Sequence, residues 1–196
     1  LLRAGFGRVT GVEPSAQPIA AAAPHIRPLI RHGMFRADEH PDGGLSLITC
    51  FHTMEHLFDP LETCRAFYRL LKPGGIAMNH GITSSDADSR SVGLGAGDFI
   101  DMYVFPDGEL PHVSLAIREL SAAGLELTDA ESLRRHYART LCHWSDRFER
   151  NIARSTALAG EKRARIWRVY LAGCAHAFAH GWINIYQLLA VKPQPG

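Results

Sequence analysis

The sequence is short of the features that mark several protein classes. Its 196 residues include only four cysteines, Cys50, Cys64, Cys142 and Cys174, and no two form a Cys-x-x-Cys pair. Neither a zinc knuckle nor a disulfide framework is indicated, and a reducing cytoplasm is the expected setting. Charge of one sign is not in excess: 21 Lys and Arg stand against 20 Asp and Glu, which excludes the overall basic character of a nucleic-acid binder. No apolar run approaches the roughly 18 residues that a membrane-spanning helix needs. The opening LLRAGFGR lacks the build of a secretory signal. There is no initiator Met, and no glycine-rich loop precedes the first strand pattern; Gly5 and Gly7 read as a helix C-terminal turn, so a segment is expected upstream. At 46% hydrophobic and 21% charged, residues 1–196 fit one globular domain, or part of one.

Strand and helix patterns alternate. VTGVE (9–13), LSLITCF (45–51) and IAMNHGI (76–82) are short apolar runs. Pro60 to Lys72 places Leu61, Cys64, Phe67, Tyr68 and Leu71 on one helical face and stops at Pro73-Gly74-Gly75. The polar TSSDADSRSVGLGAG reads as an exposed loop, and its glycines imitate a phosphate loop without the strand and helix that one requires. A helix is expected from Val113, a strand at Leu125 to Leu127, helices from about Glu131 to Ala153 and from Glu161 to His180, and a final strand INIYQLLAV. Such alternation predicts an α/β fold with a mainly parallel sheet covered by helices, and a helical segment at about 131–180.

Three features bear on chemistry. Glu13 ends a β-branched strand and precedes a helix start; there a carboxylate can accept hydrogen bonds from the ribose hydroxyls of a nucleotide-like cofactor, or simply serve the helix start. His52, Glu55 and His56 form H-x-x-E-H, the inverted zinc-peptidase pattern, in which both histidines must share a helix face. Only two turns are available before Asp59-Pro60, and no helix supplies a third ligand, so a zinc hydrolase is the weaker alternative. Residues 131–170 carry ten basic and four acidic side chains, a net of +6, with Lys162, Arg163, Arg165 and Arg168 close together. This is either a solvated face with internal ion pairs or a site for an anionic partner.

Longer motifs add a resemblance. LLKPGG (70–75), a helix stopped by Pro and Gly before a buried strand, resembles the turn before the fifth strand of class I S-adenosylmethionine methyltransferases. NHGIT (79–83), DFIDMYVFPDGELP (98–111), ESLRRHYARTLCHWSDRFE (131–149), RIWRVYLAGCAHAF (165–178) and IYQLL (185–189) resemble, in order, the cyclopropane-fatty-acyl-phospholipid synthase family, which includes the mycolic acid cyclopropane synthases. The resemblance implies a Rossmann-like sheet and methyl transfer from S-adenosylmethionine to the cis double bond of an unsaturated phospholipid acyl chain. Ring closure then requires a base in a dry pocket. The family assigns that role to a bicarbonate ion, and the positions matching its holders are Glu55, His80, the backbone of Ile82, and Tyr137. Glu13, Gln17 and Asp38 are the candidate residues for binding the cofactor.

There are departures too. The family's first strand and glycine loop have no counterpart here, its upstream bicarbonate-site cysteine is absent, and MEHLFDP lacks the glycine that follows Glu-His. The sheet is therefore expected to lack a central strand, and a fragment without catalytic competence, or a methyltransferase of another small molecule, stands as an alternative. The resemblance also implies docking on an anionic membrane surface, peripheral at the inner face, with no nucleic-acid partner; a homodimer is left open.

Overall fold

A computed structural model describes residues 1–87, 96–106 and 110–194. The chain forms two compact units, Leu1–Pro41 and Asp42–Gly196. In the first, β1 (Gly11–Glu13) pairs in parallel with β2 (Ile30–His32), and α1 (Ala16–Ala21) lies between them in sequence. None of its residues is buried. Three-residue strands and a six-residue helix offer too little apolar face to enclose a core, and surface ion pairs such as Arg31 to Glu39 at 2.9 Å add little.

The second unit has β3 (Leu45–Phe51), α2 (Pro60–Leu70), β4 (Leu71–Ser84), α3 (Ala96–Tyr103), α4 (Val113–Ala122), β5 (Glu126–Ser132), α5 (Arg134–Arg150), α6 (Ile152–Ala159), α7 (Glu161–His180) and β6 (Ile183–Val191). Its sheet runs in the order β3-β4-β6-β5. The strands of the two units thus fall into two sheets. The expectation of a mainly parallel sheet is corrected: β3 and β4 are parallel, but β6 runs antiparallel to both β4 and β5. Alternation in sequence does not fix the direction of a strand that follows a tight turn. Only Gly181, at φ +75°, and Trp182 join α7 to β6, which therefore doubles back between β4 and β5.

Element ends follow local chemistry. Asp59 caps α2 by accepting the Glu62 N–H at 2.9 Å, with Pro60 in the first turn. Pro73-Gly74-Gly75 does not open the next strand, as its pattern predicts, but bulges within it: Leu71 already pairs with Leu45, and Ile76 resumes against Leu47. A Cβ on Gly75 would lie 2.8 Å from the Lys72 carbonyl oxygen, so no other residue fits. β5 continues to Ser132 because it pairs with β6, which delays α5 to Arg134. At the end of α7, the Arg134 guanidinium donates to the carbonyls of Phe178 (2.7 Å) and Ala179 (3.0 Å), in the last turn where carbonyls run out of helical donors.

β4 is the axis of the unit. Ala77 faces a core formed with Cys64 and Phe67 of α2, Leu120 of α4, and Leu188 and Ala190 of β6. Ile82 faces a second core built from Leu141 of α5, Leu171 and Phe178 of α7, and Ile183 and Ile185 of β6. Alternation along β4 therefore assigns its odd-numbered side chains to one layer of helices and its even-numbered ones to the other. No helix among the described residues is long and apolar enough to cross a membrane. Gly93 and Gly95 of the phosphate-loop imitation, and 107–109 of the aromatic-rich motif, lie outside the described residues.

Candidate active site where β3 ends beside β4

The last rung of the β3–β4 ladder is the His52 N–H, which donates to the His80 carbonyl at 2.7 Å. His52 then turns away at φ +46°, a left-handed conformation uncommon outside glycine. The next donor on β4, the Ile82 N–H, would lose its partner. Glu55 supplies one: its Oε1 accepts that N–H at 3.0 Å, so the carboxylate stands where β3 would have continued. Gly81 makes room, since a Cβ there would lie 2.9 Å from Glu55 Oε2. The Glu55 side chain is only 4% exposed.

Burial alone would push the Glu55 carboxyl up, but His52, backbone N–H groups including that of Ile82, and His56 outweigh it and hold it below its ordinary 4.5. The His52 Nδ1 lies 3.8 Å from Oε1, long for a hydrogen bond but close for charge attraction. The His52 ring meets His80 edge-on at 5.1 Å and Tyr137 at 6.2 Å. Tyr137 packs on Phe178 at 4.8 Å and Trp144 at 6.1 Å. Desolvation, with His52 close by, lowers the His80 pKa below 6.5, so its ring is neutral at neutral pH. Its Nδ1 is buried with no partner among the described residues. Desolvation likewise raises Tyr137, whose hydroxyl stays protonated.

The structure thus brings Glu55, His80, Ile82 and Tyr137 together. It also changes the role of Ile82, whose N–H is spent on Glu55 and is not offered to an anion. His52, which the sequence places only in a zinc pattern, is the ring that lies against the other three side chains. Its one sequence signal is its place directly after LSLITCF. The zinc reading needed both histidines on one helix face. Instead Met54–His56 is a single 3-10 turn with His52 outside it, and the described residues hold no group of three metal-binding side chains.

In the first unit, Glu13 Oε1 accepts the Ser15 N–H at 2.8 Å. A carboxylate has about four acceptor positions, so room for further donors is left. Gln17 is exposed on α1. Asp38 lies in the Ala37–Glu39 turn, paired with Arg36 at 2.9 Å.

Comparison with known proteins identifies the family. The model of the mycolic acid cyclopropane synthetase family matches residues 46–188, and that of a methyltransferase domain matches residues 1–78. A Pseudomonas putida protein named "Probable fatty acid methyltransferase" is 56% identical over 130 residues, covering 66% of this chain and 33% of its own length. Cyclopropane mycolic acid synthase 1 of Mycobacterium tuberculosis is 32% identical over 133 residues, covering 64% of this chain and 46% of its own. The chain thus spans between a third and a half of the length of these relatives. Among solved structures, the mycolic acid cyclopropane synthase CmaA1 complexed with SAH and CTAB superposes with a TM-score of 0.74 at 28% identity, over 94% of this chain and 70% of that one. The cyclopropane synthase MmaA2 from Mycobacterium tuberculosis reaches 0.80 at 23% identity, over 96% and 72%, a likeness of fold. With a family match that takes in β3, β4, the Glu55 site and the helices facing it, the chain belongs to the mycolic acid cyclopropane synthetase family.

Proposed function

We propose that the protein transfers a methyl group from S-adenosylmethionine to the cis double bond of an unsaturated phospholipid acyl chain, closing a cyclopropane ring. The observation that carries this reading is the meeting of Glu55, His80 and Tyr137 at the open end of β3, in a chain of this family. When bound, S-adenosylmethionine supplies the methyl as a sulfonium electrophile, strong enough for a weakly nucleophilic alkene. Glu13, with acceptor capacity left on its carboxylate, is the residue to hold its ribose.

The chain's own residues then have separable tasks. The aromatic wall of Tyr137, Trp144 and Phe178 keeps water from a cationic reacting centre. The Tyr137 hydroxyl, kept protonated, donates. Glu55, kept ionised and fixed by Ile82, holds negative charge beside the place where a proton must leave. Bicarbonate, the base implied by the resemblance, is given no step. One of its four expected holders is spent on Glu55, and His52 lies against the other three.

The test is incubation of the protein with methyl-deuterated S-adenosylmethionine and dioleoyl phosphatidylglycerol vesicles, followed by mass spectrometry of the released acyl chains. Gain of one labelled methylene with loss of the double bond is expected. Absence of label in the acyl chains would overturn the proposal, and label in a headgroup would redirect it to another acceptor.

A further inference from the structure

The H-x-x-E-H pattern leaves both of its histidines unused by the roles above, and His52 is the one whose ring meets His80 and Tyr137. His52 takes a left-handed backbone conformation that glycine adopts freely and that other residues adopt at a cost, usually where the surrounding structure needs the side chain. That turn lays its ring against His80 and Tyr137 and its Nδ1 toward Glu55 Oε1 at 3.8 Å. The side chain is 41% exposed, whereas Glu55 is nearly sealed. His52 alone in this cluster thus combines a carboxylate partner with contact to solvent.

We propose that His52 is the catalytic base of this protein, acting in place of a bound bicarbonate ion; the proposal rests on the methyl-transfer reading above. With Nδ1–H turned toward Glu55 Oε1, 3.8 Å away, the Nε2 lone pair is left free, the division of labour of a carboxylate–histidine pair. In ring closure a C–H bond of the transferred methyl breaks. Its electron pair forms the second ring C–C bond to the cationic carbon, and the proton goes to Nε2. The imidazolium is held by Glu55 until the proton passes to water on the exposed side of the ring. The 3.8 Å separation shortens as positive charge develops on the ring; hydrogen bonds of this kind are often long before substrate binds. Ile82 and Gly81 act as positioning residues, one by holding Glu55 and the other by leaving space for it.

Two measurements test this. First, ring formation is followed in carbon-dioxide-free buffer and with added bicarbonate. Wild type should be indifferent to the ion. His52→Gly, which relaxes the backbone and keeps the fold, should lose about 100-fold or more without it and recover in part with it. His52→Gln, which still fills the space, should not recover. Wild-type activity that collapses on bicarbonate removal, or His52→Gly matching wild type without the ion, overturns the proposal while leaving methyl transfer intact. A wild type that transfers no methyl under either condition overturns both readings. Second, nitrogen NMR of the histidines, needing no turnover, should show His52 protonated at Nδ1 and bare at Nε2, with Glu55→Gln abolishing that preference. The opposite tautomer in wild type would also overturn the assignment.

Discussion

The two units of the chain divide the work unequally. Asp42–Gly196 has two cores, one on each side of β4, and holds Glu55, His80, Ile82 and Tyr137. Leu1–Pro41 buries no residue, yet holds Glu13, Gln17 and Asp38, the candidates for the cofactor. Buried area sets how firmly a geometry is held. The candidate base geometry is accordingly built into a packed sheet, while the candidate cofactor residues sit on a short strand, a short helix and a turn. The largest difference should appear in stability. Phe178, 1% exposed, should cost about 3 to 5 kcal/mol when changed to alanine, whereas Ile19→Ala in α1 should cost less than about 1 kcal/mol. Urea unfolding checks both, and limited proteolysis should cut the first unit while the second remains intact. Similar losses from the two substitutions would break the comparison.

The next effect lies inside the second unit. Gly81→Ala should push the Glu55 carboxylate off the Ile82 N–H and leave that donor buried without a partner, at about 1 to 3 kcal/mol. Turnover should fall about 100-fold or more, as for Glu55→Gln. Acid should act at the same place. The His80 pKa is lowered in the fold, so the unfolded chain takes up that proton first. Stability should therefore drop as pH falls below 6.5, until His80 is protonated in the folded state as well. Glu55 is also lowered, and its contribution should be lost as pH falls below 4.5 through its folded value. Unfolding free energy measured against pH should show the first step disappear in His80→Gln.

Smaller still is the effect expected in the first unit. Glu13→Gln should weaken S-adenosylmethionine binding by between about 1 and 3 kcal/mol, read by calorimetry, without changing the pH dependence of stability below 6.5. Unchanged affinity would reduce Glu13 to the helix-start role that its bond to Ser15 already performs.

These contrasts also explain what could be read in the sequence. LSLITCF, the α7 stripe and INIYQLLAV end where their patterns end, because each is bounded by a turn or cap encoded in neighbouring residues. β5 runs past Leu127, and β6 reverses direction, through pairing with distant strands that no local pattern contains. The motifs that carry the family resemblance also named Glu55, His80 and Tyr137, which the fold gathers. What they could not reveal is that Ile82 spends its N–H on Glu55, or that His52 turns its ring inward. Both follow from β3 ending opposite His80 while β4 continues to Ser84, a fact of register and not of composition.

The least of the expected effects concerns charge, where the two units differ again. In the first, Arg31 pairs with Glu39 and Arg36 with Asp38. In the second, residues 131–170 carry a net +6. Arg168 pairs with Glu149, while the exposed Arg163 and Arg165 make no ion pair among the described residues. The same helix exposes Trp167 at 40% and Val169 at 57%, apolar groups suited to an interface between water and lipid. A phospholipid acyl chain remains in its bilayer, so an enzyme acting on it must meet the surface. Each unpaired arginine near an anionic leaflet should contribute about 1 kcal/mol, screened as salt rises. Cosedimentation with phosphatidylglycerol vesicles should therefore weaken by at least about 2 kcal/mol in the Arg163→Glu, Arg165→Glu double variant. Arg168→Glu should matter less, because its charge is already offset by Glu149. Equal loss from all three sites would show that the Glu149 pair opens at the membrane, and no loss from any would shift the acyl substrate from a bilayer to a soluble carrier.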